Sequence, residues 1–297
     1  MANQSSNNIK SVIHRFDQIS AHLESSQERL DFFSSTLFAD QMDIAVREIG
    51  SDGALISVDI FDTLLLRDST SEIKRFSLIA EEQCKYLNDK YNFNCTQEDL
   101  LAARLSGTKI SYRASKIVDG CREGSITDIY RVAARALNLP SSEEKELIQL
   151  ELDHEKRVLT PNAGLIRQLR KHKKNGARCI MISDMYLHVS HIKELAGALI
   201  PDYIEIFDDI YSSADTTVSK SSQKIFPLIG EILNANPENW LHMGDAIKGD
   251  YRSPLNQKIK AIYLPIPLNI IEKREACEKA TIAELNSKGL NPKLFNS

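Results

Sequence analysis

The sequence predicts a three-layer α/β fold around a mostly parallel sheet, with an α-helical block inserted after the first strand. Three observations predict it. Short apolar runs at 54–58, 179–182 and 240–243 read as buried parallel strands. Segments with helical periodicity alternate with strands through the second half of the chain. Between about 71 and 158 the text is helical and shows no strand-like alternation, so the α/β rhythm breaks there and resumes only after 176.

Taken in order, residues 8–49 are expected to be helical, with Ile9, Val12, Ile13, Phe16, Ile19 and Leu23 near a 3.6-residue period. Ser51-Asp52-Gly53 ends that pattern and leads into the first strand. Ser71 is a candidate N-cap for a helix over 72–91, and further helices are expected near 97–118, 126–138 and 142–158, the last capped by Ser141 or Ser142 after Pro140. A helix over 161–174 stops at Asn175-Gly176. A strand at 178–182, a helix at 188–199 and short strands near 203–206 and 209–212 follow. The expected sequence then runs helix 221–235, strand 240–243, helix 247–256 and strand 260–264, closed by Pro265 and Pro267. Residues 269–287 read as a charged helix and 288–297 as a mobile tail. This divides the chain into an N-terminal helical segment (1–50), a catalytic core (51–70 and 159–268), a helical cap (71–158) and a C-terminal helix with its tail (269–297).

Composition narrows the function. With 297 residues, 42% of them hydrophobic, the chain can bury a substantial core, and a net charge of −4 offers no electrostatic case for nucleic acid or an acidic membrane surface. No apolar run is long enough to span a bilayer. The polar start MANQSSNNIK lacks a signal-peptide core, and five scattered cysteines without metal-type spacing fit free thiols, so a cytoplasmic location is expected. Protein partners are not specified by any feature.

Four segments carry chemistry-bearing residues: SVDIFDT (57–63), MISDMY (181–186), VSKSSQ (218–223) and HMGDAIKGD (242–250). Three of them follow predicted strands. Ligands of open α/β sheets bind beyond the strands' carboxyl ends, so the segments should converge. Asp59 can attack phosphorus and form an aspartyl phosphate. Asp245 and Asp250, after Gly244, are hard oxygen donors that suit Mg²⁺ beside Asp59. Lys220 can neutralise both the nucleophile and the transferred group, and Ser183 can hydrogen-bond a phosphoryl oxygen. Taken singly, each is as readily a strand-end turn, a cap or a solvated lysine; together and in this order they point to one site. His188 and His191 lack a third ligand for zinc, His242 reads as a core residue, and Arg67, Arg104, Arg113 and Arg122 read as ordinary arginines.

The set resembles the haloacid dehalogenase superfamily over residues 54–264, and the wording FDTLLLR and SDMYL resembles a bacterial branch of hydrolases. The resemblance implies a Rossmann-like core with an inserted helical cap. It implies Asp59 as nucleophile, Ser183 as the second-motif hydroxyl, Lys220 as the third-motif base, and Asp245 and Asp250 as the metal motif. Thr63, Ser183 and Asp184 are the expected substrate-binding residues. Mg²⁺ is expected on Asp59, Asp245, Asp250 and the backbone carbonyl of Phe61, with a small phosphorylated metabolite, a sugar phosphate among the options, as substrate.

One residue departs from the pattern. The superfamily's phosphatases place a second Asp two residues after the nucleophile, as general acid and base, where this chain has Phe61. Three readings stay open on the sequence. Asp62 supplies the proton; or the leaving group needs none, or the phosphoenzyme is long-lived and serves another acceptor; or the chain follows the carbon–halogen branch, which carries an aromatic there. The last leaves Asp245 and Asp250 without purpose, so a phosphatase or phosphotransferase is preferred. A phosphate-binding scaffold or regulatory protein is the alternative of a different class.

Overall fold

A computed structural model describes residues 22–50 and 53–295. Five parallel strands form one sheet in the order β5-β4-β1-β6-β7: β1 (Leu55–Asp59), β4 (Arg178–Ser183), β5 (Asp209–Ser212), β6 (Trp240–Gly244) and β7 (Lys260–Tyr263). The central strand β1 is buried along its whole length, as its unbroken apolar run requires. It pairs with β4 so that Asp59 lies opposite Ile182, and with β6 so that Val58 lies opposite Met243. This register brings the ends of β1, β4 and β6 level, with their polar segments at one edge.

Helices α1 (Ser26–Ser34) and α2 (Thr36–Glu48) precede the sheet. The part of the expected helical segment over residues 8–21 lies outside the described residues. Helix α1 does not stand apart from the core. It lies so close to α7 (Ala163–Lys174) that a Cβ on Gly164 would come within 2.2 Å of the Phe33 carbonyl oxygen. After β1, a short strand β2 (Leu65–Leu66) pairs antiparallel with β3 (Thr160–Pro161), a ribbon that sequence periodicity is too short to reveal. Between them run α3 (Glu72–Tyr91), α4 (Gln97–Ala114), α5 (Ile126–Ala136) and α6 (Glu143–Val158). Ser71 caps α3 by accepting the Lys74 amide, whereas Ser142 makes no side-chain cap on α6.

The inserted helices are fastened to the sheet through a buried polar cluster. Arg104 on α4 forms a fork with Glu151 on α6 at 2.6 and 2.8 Å, and Glu151 also accepts Tyr130 at 2.5 Å. Tyr186, in the loop after β4, completes the cluster by donating to Glu151 at 2.8 Å, and its carbonyl accepts the Ile126 amide at the start of α5. Arg104 is therefore fully engaged inside the cap.

The remaining helices are α8 (Val189–Leu199), α9 (Ile225–Leu233) and α10 (Leu268–Ser287). Three expectations need correction. Residues Tyr203–Ile206 form a helical turn, because the Pro201-Asp202 corner continues into a turn that buries Ile206 before β5 begins. The helix expected from 247 begins as a π-helical turn, Ile247–Arg252, followed by a short helix Ser253–Asn256. The described part of the tail is packed: Leu290 is buried, and Lys109 on α4 donates to the Leu294 carbonyl.

Candidate active site

Asp59 ends β1 and is nearly buried, 7% exposed. The Lys220 ammonium bridges it to Asp250, pairing with Asp59 Oδ1 and, at 2.5 Å, with Asp250 Oδ1. Behind Asp250, the buried His242 offers Nε2 at 3.0 Å, its Nδ1 meets Ser57 Oγ at 2.7 Å, and the Trp240 indole N–H donates to the same hydroxyl at 2.7 Å. A continuous polar chain thus runs beneath the end of β1 from Trp240 to Asp59. His242 is a core residue, as expected, and it also anchors Asp250.

The π-helical turn explains how Asp250 reaches this position. Its wider winding turns the carboxylate back so that Oδ2 accepts the Ala246 amide at 2.9 Å. Gly244 is needed for this approach rather than for an unusual turn, since a Cβ there would lie 2.3 Å from Asp250 Cγ.

Charge is unevenly matched. Burial raises the Asp59 carboxyl and Lys220 lowers it, while Asp250 raises it again, and the balance is about 7. For Asp250, burial is outweighed by Lys220 and His242, which bring it down to about 2. Lys220, desolvated but flanked by Asp250 and Asp59, is raised above the ordinary lysine value. Asp245 makes no ion pair among the described residues, although the buried Arg29 lies within electrostatic reach. Its only hydrogen bond among the described side chains comes from Thr63 Oγ1 at 3.3 Å, and burial, then Asp59, Asp250 and Asp62, push its pKa well above the carboxylate range.

Ligand atoms of Asp59, Asp245 and Asp250 lie within 4.8 Å of one another, a cluster able to hold a metal ion. Three carboxylates against one ammonium leave a deficit that a divalent cation would neutralise, and all the donors are hard oxygens, so the residues present fit Mg²⁺. Asp245 is the carboxylate with donor capacity to spare. Asp250 already serves Lys220, His242 and the Ala246 amide.

The second motif is also assembled. Ser183 ends β4, and its hydroxyl oxygen accepts the Met185 amide at 3.1 Å, which leaves its proton to donate. Asp184, expected to touch substrate, instead accepts the backbone amides of Lys220 at 2.7 Å and Ser221 at 3.1 Å. It positions the lysine. Thr63 is buried and held through its carbonyl by Asn162, so it organises the loop around Asp245.

Asp62 does not fit the role of proton donor. It sits at φ 61°, and its carboxylate is gripped by Arg274 of α10 through two hydrogen bonds of 2.8 and 3.0 Å. The buried Arg29 of α1 donates to its carbonyl at 2.5 Å. Burial alone would raise this carboxyl, but Arg274, with Arg67 and Arg29, holds it below the ordinary range. A carboxylate so held has no proton to give. Next to it, the Phe61 ring is covered by the Arg67 guanidinium, 4.4 Å from its centroid, and Arg67 reaches Glu155 at 3.3 Å. Arg274 and Arg29 were not visible as site residues in the sequence, since each is one arginine among many on a helix.

No protein-family model matches the chain, and no curated protein matches it by sequence. Among solved structures it is similar to a 2-haloacid dehalogenase from Pseudomonas syringae pv. Tomato DC3000, at 15% identity and TM-score 0.49 over 75% of this chain and 98% of that one. It is also similar to the HAD family enzyme bt-2542 from Bacteroides thetaiotaomicron, solved with magnesium and inorganic phosphate, at 12% identity and TM-score 0.46 over 71% and 93% of the two chains. A third is the HAD-hydrolase YfnB from Bacillus subtilis bound to magnesium, at 16% identity and TM-score 0.42 over 70% and 86%. The chain itself has a parallel five-stranded sheet with β1 at its centre, the four chemistry-bearing segments gathered at its carboxyl edge and a helical block inserted after β1, an α/β Rossmann-like fold.

Proposed function

We propose that the chain is a phosphoryl-transfer enzyme that uses Asp59 as nucleophile, acts on a small phosphorylated metabolite and requires Mg²⁺. The observation that carries this reading is Asp245, a carboxylate with no ion pair among the described residues, set within 4.8 Å of Asp59 and Asp250, which share the single Lys220 ammonium. Asp59, Asp245 and the Phe61 carbonyl would hold the ion, which supplies charge neutralisation at the phosphoryl oxygens. Lys220 lowers the Asp59 pKa against the effect of burial and orients the carboxylate, with one of its donors available to a phosphoryl oxygen. Ser183 donates to a second oxygen. Asp250, backed by His242, fixes Lys220 and spares Asp245 from that task. Asp59 then attacks in line, and the aspartyl phosphate passes its phosphoryl group to water or another acceptor.

Phe61 favours a competing reading, carbon–halogen hydrolysis, in which no metal is used. The carboxylate cluster weighs against it, because crowding three acids costs stability without serving that reaction. The deciding experiment incubates the native chain and Asp59→Asn with a phosphoryl donor panel and with 2-chloropropionate, each with Mg²⁺ and with chelator. Mg²⁺-dependent phosphate release or phosphoenzyme formation that disappears in Asp59→Asn supports phosphoryl transfer. Chloride release indifferent to chelator would replace it with dehalogenation.

A further inference from the structure

Two residues beneath the site, Ser57 and Trp240, take no part in the steps assigned to Asp59, Lys220 and Ser183, yet their hydrogen bonds run in one direction only. Alternation along a strand puts Ser57 and Asp59 on one face of β1, and Trp240 and His242 on one face of β6. The β1–β6 register sets Ser57 opposite His242, so the contacts between the two strands form a ladder that climbs towards Asp59.

Hydrogen counting fixes the ladder's polarity. An indole N–H can only donate, and Trp240 donates to Ser57 Oγ at 2.7 Å. The Ser57 hydroxyl then has its own proton to place, and His242 Nδ1, 2.7 Å away, is the acceptor it meets. Nδ1 is therefore the bare ring nitrogen, and the proton sits on Nε2, which faces Asp250 Oδ1 at 3.0 Å. The reverse tautomer would point a lone pair at a carboxylate oxygen. Burial lowers the ring's pKa and favours the neutral form, against the pull of Asp250. Ser57 and His242 are both 0% exposed, and the Phe226 ring of α9 packs T-shaped against Trp240 and His242, so bulk water does not compete for these bonds.

We infer that Ser57 and Trp240 are positioning residues that hold His242 as its Nε2–H tautomer and, through Asp250, set the Lys220 ammonium against Asp59. The inference rests on Asp59 being the nucleophile of a phosphoryl-transfer site. Asp250 Oδ1 takes His242 Nε2–H and Lys220, while Oδ2 takes the Ala246 amide, so donors on both oxygens fix the plane of the carboxylate. That plane decides where the ammonium rests, and the same ammonium pairs with Asp59. Removing the Ser57 hydroxyl frees Nδ1 to take the proton. Nε2 then repels Oδ1, Asp250 turns away, and Lys220 loses the acceptor that holds it beside Asp59. Ser57, Trp240 and His242 are too deeply buried to touch a substrate, so the loss falls on rate and spares binding.

The experiment uses the full chain labelled with ¹⁵N. Two-bond proton–nitrogen correlations of the imidazoles report which ring nitrogen carries the proton, and the signal missing from His242→Gln identifies His242. The expected native spectrum shows Nε2 protonated and Nδ1 bare, and Ser57→Ala shows the two forms mixed. In parallel, turnover of para-nitrophenyl phosphate with Mg²⁺ should fall about tenfold in kcat in Ser57→Ala, with KM within about twofold. His242→Gln, which keeps an N–H for Asp250, should retain more of the rate than His242→Leu. A native Nδ1–H tautomer, an unchanged kcat in Ser57→Ala, or equal losses in His242→Gln and His242→Leu would each overturn the inference. Absence of turnover in the native chain would count against the phosphoryl-transfer reading instead, and the tautomer would then decide the hydrogen-bond ladder on its own.

Discussion

Asp62 shows how little a residue's type says about its role until its partners are known. In the sequence it is an acid one place from where an acid belongs. In the structure Arg274 has turned it into an anchor for the loop that follows Asp59. Removing the guanidinium leaves a buried carboxylate short of partners, so Arg274→Met should cost about 3 kcal/mol, read from the urea midpoint. The sign of the pH effect follows from the lowered Asp62 pKa. Its stabilisation is complete above the unfolded value of about 4 and fades as pH falls through the lower folded value. The stability difference between the native chain and Asp62→Asn should therefore shrink below roughly pH 4, and a constant difference would contradict the clamp. Gly244 makes a second residue-scale case. Gly244→Ala places a methyl group against Asp250 Cγ and should remove Mg²⁺ response while costing about 1–3 kcal/mol of stability.

At the scale of elements, the cap and the β4 loop share one buried cluster. Tyr186→Phe deletes a donor to Glu151 and leaves Arg104 with one acceptor fewer, an expected loss of about 1–3 kcal/mol. Hydrogen exchange should locate the loss in α4 to α6, and protection unchanged there would show that the cap is held by apolar packing alone. The same scale separates what sequence patterns can and cannot announce. Strands β1, β4 and β6 were legible because a run buried on both faces must be apolar and a ligand-binding segment must follow it. The ribbon β2–β3 was not, since two residues per strand carry no period. The π-helical turn was not legible either: the contact it allows, Asp250 against Gly244, joins residues whose spacing looks ordinary. That Asp59, Lys220 and Asp245 would come together was legible because motif order stands in for geometry. Arg29 and Arg274 were missed because nothing local distinguishes an arginine that closes a loop from one facing solvent.

For the whole molecule, the central balance is between stability and the metal site. Three carboxylates share the edge of the sheet with one ammonium, so the metal-free protein carries repulsion that the ion would relieve. Asp245→Asn should raise the melting temperature of the metal-free chain by a few degrees, about 1 kcal/mol. It should also abolish the further rise that Mg²⁺ gives the native chain by binding the folded state. A melting temperature of the native chain indifferent to Mg²⁺ would contradict this account. Among the described residues no helix is long and apolar enough to cross a membrane, and all five cysteines are free.

The grip of Arg274 on Asp62 spans 212 positions, while Arg29 lies on the other side of the same loop, 33 positions before it. A chain made from its N-terminus therefore presents Asp59 long before it possesses the helix that closes the loop after β1. Closing so long a loop costs entropy that only the finished contact repays. During synthesis the loop after Asp59 would stay open until Arg274, more than two hundred positions on, had emerged to grip it.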